Sequence, residues 1–199
     1  MKIEKKNLDE GVAMIKAATS IDELIEGIAH VYGMTAEEMA GKKDKEWTQE
    51  VGEWIENVAA KAASGEFKPT GERRKVGFFD EDVLAFLKAR GIELSTDEIS
   101  ISDRDIMHAL RTAKVDPLPV SMWKRLPSLL ANPLAVYWDS QNPGVIFVLE
   151  ETEGRGKIIV KVNYEVRDGG GEKLVNVVRT GKLVKNFREF LDKTRYITI

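Results

Sequence analysis

The 199-residue sequence contains no cysteine, only two histidines and no long run of apolar residues. The absence of cysteine excludes disulfides, thiol nucleophiles and zinc sites built on thiolates. No apolar run approaches the 18 residues that a membrane-spanning helix needs, so we expect no transmembrane segment and no membrane partner. The first ten residues, MKIEKKNLDE, lack an apolar core, which argues against a secretory signal. These absences are compatible with a cytoplasmic protein.

Motifs of several common enzyme classes are also missing. There is no HExxH motif, and the two histidines, His30 and His108, lie 78 positions apart, which argues against a zinc site. The carboxylates of Glu150, Glu151 and Glu153 fall in a predicted turn, where solvated carboxylates are more typical than metal ligands. There is no GxxxxGK[ST] motif, and neither DGGGEK nor EGRGK leads from a strand into a helix. We therefore predict no metal, no cofactor and no nucleotide triphosphatase activity.

Charge is distributed unevenly along the chain, although its net charge is only −3. Residues 1–70 contain 9 Lys and Arg against 14 Asp and Glu, a net charge of −5, whereas residues 103–199 contain 16 against 12, a net charge of +4. Two explanations fit this asymmetry equally well. The solvated charges could be segregated by chance, or the C-terminal half could contact a polyanion that the N-terminal half does not. Both interpretations stay open at this stage.

The first part of the chain reads as helical. Helices are predicted over 21–32 behind a Thr19–Ser20 cap, over 44–63, and over 80–90 before Gly91. In the second of these, an apolar stripe contains Trp47, Val51, Trp54, Ile55 and Val58, which is more typical of core or helix contacts than of a ligand platform. The breakers and basic residues of GEFKPTGERRKVG indicate a linker. We predict an acidic helical region over 1–64, a linker over 65–77 and a second domain over 78–199.

The second domain alternates between segments typical of strands and short turns. Strands are predicted near 134–139, 144–150, 157–165 and 172–180. Because the connections between them are short, neighbouring strands should be antiparallel. A helix is predicted over 183–191, and TRYITI suits a last edge strand. The expected fold class is α+β, with a helical N-terminal region followed by a C-terminal antiparallel sheet packed with short helices.

The stretch ISDRDIMHALR, residues 101–111, contains the main candidate site. Ser102 or Asp103 should cap a helix over 104–114, whose buried face consists of Ile106, Ala109, Leu110 and Ala113. The opposite face carries Arg104, His108, Arg111 and Thr112. One interpretation is an ordinary solvated face. The other is a phosphate site, because arginines bind phosphate oxygens through a planar fork and a nearby histidine can move a proton.

The segment over 92–180 resembles a known family. Its pieces are IELSTDEISISDRDIMHALR, WKRLPSLLANPLAVYWD, GVIFVLE, KIIVKVNY and NVVRT. In this order they are similar to phage-associated domains of the barnase–EndoU–colicin–RelE nuclease superfamily, which are found at the C-terminus of Mu-F-like minor head proteins. The resemblance covers about half of the chain and implies a small α+β fold related to ribonucleases.

The resemblance also implies roles for individual residues. His108 would transfer a proton and Arg111 would clamp the phosphate. Lys161 would supply a second cation, and Thr180 would donate a hydrogen bond to phosphate. Substrate contacts would come from Arg104, Thr112, Asn163 and Asn176. Simpler interpretations stay open for two of these positions, since Lys161 could equally face solvent and Thr180 could equally be a turn residue.

Three functions are consistent with these features. The first is a prophage-derived domain that cleaves RNA without a metal, as a toxin held by an immunity partner. The second is a non-enzymatic protein of the phage head or virion that retains the fold and binds another phage protein through the helices of residues 1–64, with Trp47 and Trp54. The third is a nucleic-acid-binding module without chemistry. The chain would then be cytoplasmic or virion-associated.

Overall fold

The structure is a computed structural model that describes residues 4–65, 67–110, 116–151, 154–168 and 171–199, without the side chains of residues 36–43, 151 and 168. The chain divides into two compact units, Met1–Trp47 and Thr48–Ile199. Within the described residues the helices are α1 Lys5–Ala17, α2 Ile21–Val31, α3 Ala36–Ala63, α4 Glu81–Ala89, α5 Asp103–Ala109, α6 Val120–Lys124 and α7 Leu126–Ala131, with a 3-10 helix over Phe187–Leu191. The strands are β1 Arg73–Phe78, β2 Glu98–Ser102, β3 Ala135–Asp139, β4 Gly144–Glu151, β5 Gly154–Asp168, β6 Gly171–Leu183 and β7 Tyr196–Thr198. This content confirms the predicted α+β class.

The first unit contains a helical hairpin made of α1 and α2. Ser20 caps α2, because its Oγ accepts a hydrogen bond from a backbone amide of the first turn at 3.2 Å. A glycine allows the two helices to approach closely, since a Cβ at Gly27 would lie 2.9 Å from Cγ1 of Ile15. His30 Nε2 lies 3.0 Å from Oε2 of Glu10 and links α2 to α1. His30 therefore has a structural contact within the hairpin.

The second unit is built on a seven-stranded sheet in the order β1-β2-β6-β5-β4-β3-β7. The strands from β3 to β6 are joined by short turns and pair with one another as antiparallel neighbours, as predicted. Strand β2, however, runs parallel to β6, with Ile99 opposite Asn176 and Ser100 opposite Val177. The sheet is therefore mixed. The long chain between β2 and β6 provides the crossover that a parallel pair requires.

The division of the chain differs from the one that the sequence indicates. Within the expected linker over 65–77, β1 begins at Arg73 and pairs with β2 in the sheet. The expected helical region over 1–64 is also shared between the units, because the part of α3 after Thr48 buries Val51 and Ile55 in the second unit. Trp54, on the same stripe, is 7% exposed, which confirms its prediction as a core residue.

Both faces of β4 are covered, since its residues from Val145 to Leu149 are each at most 2% exposed. On one face, Ile146 packs in a cluster with Phe190 of the 3-10 helix. The opposite face includes Phe147, whose ring stacks on Phe79 with centroids 6.2 Å apart. This two-sided burial explains why the strand reads as a continuous apolar run rather than as an alternating one.

The predicted helix over 183–191 is wrong in its extent and type. Strand β6 continues to Leu183, and only Phe187–Leu191 is helical, as a 3-10 helix. In a 3-10 helix residues three apart lie on one side, so Phe187 and Phe190 both face the core, with centroids 5.3 Å apart. The Phe190 ring also stacks on Tyr137 at 4.8 Å. The predicted last edge strand is confirmed as β7.

Candidate functional site

Helix α5 is fixed by hydrogen bonds at its start. Ser102 Oγ accepts a bond from the Asp105 amide at 3.2 Å and donates one to Asp105 Oδ2 at 2.6 Å, so Ser102 is the cap. The Asp103 carboxylate accepts bonds from the Thr70 amide at 2.7 Å and the Gly71 amide at 3.0 Å. These bonds tie the start of α5 to the chain that enters β1.

Helix α5 ends at Ala109 with Leu110 as its C-terminal cap, so it is shorter than the predicted helix over 104–114, and Leu110, predicted on the buried face, is half-buried. Ile106 and Ala109 are at most 1% exposed, whereas Arg104 and His108 are both exposed. Arg111 and Thr112, which the sequence places on the same outer face, lie outside the described residues. Arg104 and His108 are four residues apart and therefore lie one turn from each other on the outer face.

A cleft of about 740 Å³ opens beside the start of α5, between β1 and the paired strands β5 and β6. We refer to it as the arginine cleft, because four of its lining residues are arginines. The lining residues are Thr70, Gly71, Arg73, Ser102, Arg104, Asp105, Tyr164, Glu165, Val166, Arg167 and Arg179. Four guanidinium groups against the two carboxylates of Asp105 and Glu165 give the lining a net positive charge.

Arg179 is positioned in the cleft by an irregularity of β6. Ile159 of β5 lies opposite Thr180, but the next residue of β5 lies opposite Val178, so Arg179 is the extra residue of a β-bulge. Its Nη1 donates a hydrogen bond to Oδ1 of Asp105 at 2.7 Å, and its guanidinium lies 4.9 Å from the ring centre of Tyr164. Arg179 thus compensates the Asp105 carboxylate, which is 5% exposed.

Arg73 lies half-buried in the cleft. Its Nη1 donates a hydrogen bond to Ser100 Oγ at 3.3 Å, and among the described residues it forms no ion pair. Burial lowers the pKa of the Arg73 guanidinium below its ordinary value; nearby Asp105 opposes this effect, and Arg179 adds to it. Arg73 nevertheless stays charged, so it is a half-buried cation that Asp105 and Asp103 attract but that forms no direct ion pair in the described chain. Such a group is suited to binding an anion.

The other candidate residues that the structure describes do not line this cleft. His108 is exposed on α5 but is absent from the lining, and so are Lys161 and Thr180. Lys161 Nζ donates hydrogen bonds to the carbonyl oxygens of Asn142 at 2.9 Å and Pro143 at 2.7 Å, so it secures the turn between β3 and β4. Thr180 lies opposite Ile159 within paired strands rather than in a turn. Of the predicted residues that are described, Arg104 alone lines the cleft.

Asn163 and Asn176 form hydrogen bonds that shape the sheet. Asn163 has a positive φ of 47° at a second irregularity of the β5–β6 pair. Its backbone N–H donates a hydrogen bond to Asn176 Oδ1 at 3.2 Å. Asn176, which is fully buried, donates from Nδ2 to the carbonyl oxygens of Thr96 at 2.7 Å and Glu98 at 3.0 Å. Both asparagines therefore hold the segment that leads into β2 and stabilise the parallel β2–β6 junction.

Three of the cleft arginines and Tyr164 are not among the residues that sequence reasoning selects. Arg73 lies in the basic run ERRK, which reads as a linker. Arg179 and Tyr164 lie in NVVRT and KIIVKVNY, but strand alternation cannot place them, because bulges interrupt the β5–β6 register on both sides. The basic run ERRK was the one signal in the sequence, and it does not indicate which other residues lie beside it.

No group of three or more His, Cys, Asp or Glu residues suitable for a metal ion occurs among the described residues. In that same part of the chain, no helix is both long and apolar enough to cross a membrane.

Comparison with known proteins gives two matches. Residues 110–198 match the sequence model of a family described as the phage MuF-C-terminal domain. In addition, 113 residues are 26% identical to a protein of Escherichia phage Mu named "Putative capsid assembly protein F", over 57% of this chain and 24% of that protein. The matched region thus spans about a quarter of the length of the Mu protein. No solved structure matches the chain significantly.

The two matches support a relationship to Mu-F-like phage proteins. The family match covers β3 to β7, and with them Tyr164, Arg167 and Arg179 of the cleft. Arg73 and Arg104 lie before the matched range. The arginine cleft therefore combines residues from inside and outside the region that the family model describes.

Proposed function

We propose that this chain is a non-enzymatic component of a phage head, which associates with another head protein. The observation that carries this proposal is its similarity to a protein named for capsid assembly, over 57% of the chain. The geometry of the second unit supports it, because Lys161 and Thr180 are engaged in the sheet and do not meet in the cleft. The described residues that line the arginine cleft include no histidine.

The surface for this association is the helical hairpin of the first unit. Its exposed large apolar side chains are Leu8, Val12 and Met14 of α1 and Ile21, Leu24 and Ile25 of α2, each at least 37% exposed. Apolar side chains grouped on one element and left exposed are typical of protein interaction surfaces. Trp54, by contrast, is buried in the second unit and is not part of this surface.

Association is tested by co-sedimentation of the tagged chain with heads from phage-producing cells that carry its gene. Ile21 is 76% exposed, so Ile21→Gln should reduce the fraction of the chain found with heads without unfolding it. Leu191→Gln is the matched control, because Leu191 is 68% exposed but belongs to the second unit. Equal recovery of both variants with heads would remove the hairpin from the proposal.

Cleavage of RNA without a metal is a second candidate function, as a toxin restrained by an immunity partner. It is favoured by one observation, the position of Arg104 in the arginine cleft one helical turn from the exposed His108. In this mechanism His108 takes the proton of a ribose 2′-hydroxyl, and the oxygen attacks the neighbouring phosphate. The bond between phosphorus and the 5′-oxygen breaks, the 5′-oxygen takes up a proton from water, and a 2′,3′-cyclic phosphate is formed.

The test is incubation of the chain with RNA in excess EDTA, followed by analysis of the ends. Cyclic phosphate ends that disappear in His108→Ala but persist in His30→Ala would support cleavage, since His30 pairs with Glu10 in the first unit. No cleavage by the unaltered chain, or undiminished cleavage by His108→Ala, would exclude this mechanism.

A further inference from the structure

We propose that the arginine cleft and a smaller pocket beside it form one track that binds the phosphodiester backbone of a single-stranded nucleic acid, with Arg73 at the junction. This inference is independent of association with heads and requires no cleavage. It names a binding site for which Arg73, Arg104 and Arg179 supply the charge.

The smaller pocket, of about 220 Å³, extends the basic surface beyond the cleft. It is lined by Arg73, Lys75, Thr96, Glu98, Ser100, Lys173 and Val175. Arg73 belongs to both linings, so the two pockets adjoin at its side chain. Together they contain six cationic side chains against the carboxylates of Asp105, Glu165 and Glu98, which gives a net charge of +3. Two adjoining basic pockets suit successive phosphates of one strand better than a single phosphate.

The largest group of hydrogen-bonding side chains in the cleft is its four arginine donors, and the exposed Glu165 carboxylate is an acceptor set against them. Asp105 accepts bonds from Ser102 and Arg179, and Asp103, beside the cleft, accepts bonds from Thr70 and Gly71. The guanidinium of Arg73 has five N–H groups, of which one is used by Ser100. A ligand that supplies anionic acceptor oxygens matches this arrangement, and a planar guanidinium fits two oxygens of a phosphate.

An aromatic ring stands next to these donors. Tyr164 is 40% exposed, and the Arg179 guanidinium lies 4.9 Å from its ring centre. Exposed aromatic rings and guanidinium planes are surfaces on which unpaired bases stack, whatever the base. Bases are accessible in this way only in a single strand, which is why the track favours single strands over duplexes.

The experiment measures fluorescence anisotropy of labelled single-stranded 12-mers, one of DNA and one of RNA, with the full chain in EDTA over a series of salt concentrations. Arg73→Gln should weaken binding at least about tenfold, since a charge-assisted hydrogen bond is lost. It should also reduce the slope of log affinity against log salt by about 0.7, the value for one phosphate contact with a single strand. Arg188→Gln, at an exposed arginine outside both linings, is the matched control and should bind as the unaltered chain does.

Arg104→Gln provides a second test at an exposed position, where a folding defect is not expected, and it should also weaken binding. Binding of both strands would assign the site to the shared phosphodiester backbone, and binding of RNA alone would assign it to that strand. The proposal is overturned if neither strand binds or if Arg104→Gln binds as tightly as Arg188→Gln. It is also overturned if polyglutamate of equal charge competes as well as the oligonucleotide, or if a mononucleotide binds as tightly as the 12-mer.

Discussion

Replacing Glu189 with alanine is expected to destabilise the second unit more than replacing its partner Lys157 with methionine. Lys157 Nζ lies 2.9 Å from Glu189 Oε1, and its side chain is only 5% exposed, whereas that of Glu189 is 32% exposed. The same ammonium lies 5.2 Å from the centre of the Phe190 ring. Glu189→Ala therefore leaves a charge buried beside aromatic groups, while Lys157→Met leaves a carboxylate that can face solvent.

The magnitudes follow from this difference in exposure. Loss of one partner of a buried ion pair costs about 3–5 kcal/mol, and because water reaches Glu189 we expect the lower end, about 3 kcal/mol, for Glu189→Ala. Lys157→Met removes the buried charge and keeps an unbranched apolar chain, so its cost should be at most about 1 kcal/mol. The double variant should resemble Lys157→Met, because no buried charge remains to be compensated.

Urea denaturation followed by tryptophan fluorescence measures these free energies of unfolding. Trp54, Trp123 and Trp138 are all buried in the second unit, so the signal reports mainly on that unit. A cost for Lys157→Met equal to or greater than that for Glu189→Ala would refute the argument from exposure. So would a double variant whose cost equals the sum of the two single costs.

The pH dependence gives an independent check on Lys157. Burial lowers the pKa of Lys157 below its ordinary value, and the hydrogen bond with Glu189 opposes this effect without cancelling it. The unfolded chain therefore binds this proton more tightly, so the contribution of Lys157 to stability rises with pH between the lowered pKa and about 10.4. Lys157→Met should lack this rise in the free energy of unfolding. A profile identical to that of the unaltered chain would contradict the pKa shift.

Three further variants test the architecture around the sheet. Burial alone would raise the pKa of Asp139, but hydrogen bonds from Arg195 and two backbone amides outweigh burial and lower this pKa. The ionised Asp139 therefore stabilises the fold above about pH 4, and this stabilisation is lost as the pH falls through the lowered pKa. Asp139→Asn should therefore cost about 1–3 kcal/mol near neutral pH and flatten the acid limb of an unfolding profile, whereas an unchanged acid limb would contradict this. Asn176→Ala removes the fully buried donor to the carbonyl oxygens of Thr96 and Glu98, just before and at the start of β2. It should cost about 3 kcal/mol in urea denaturation, and a cost below about 1 kcal/mol would contradict its role. Gly181→Ala would place a Cβ 2.6 Å from Leu118 Cδ1, so thermal unfolding should show a loss of about 1–3 kcal/mol, and unchanged stability would refute tight packing there.

The elements with regular periodicity were predictable from the sequence. Strands β3 to β6 each coincide with an apolar segment bounded by turn residues, and helices α2 and α4 each begin directly after a capping residue. Local sequence rules are therefore enough to place these elements. Strands β1 and β2 were not predicted, because their residues are partly basic or polar and their pairing depends on distant chain. The contact of Ile99 with Asn176 joins residues that no local pattern relates.

In the candidate site, too, positions within one helix could be predicted from the sequence, whereas contacts between distant segments could not. The exposed face with Arg104 and His108 follows from the 100° rotation per residue of a helix. Arg73 and Arg179 could not be placed beside it, because one depends on β1 joining the sheet and the other on a bulge in β6. Lys161 was expected on a strand and lies on one, but its bonds to the Asn142 and Pro143 carbonyls depend on the turn between β3 and β4.

The central claim, association with a phage head, is tested most directly by quantitative mass spectrometry of gradient-purified heads from cells that carry this gene. If the chain associates with heads, it is present in the head fractions at a constant ratio to the major capsid protein across the gradient peak. Association is contradicted if the chain is made in those cells but is recovered only in the fractions that contain no heads.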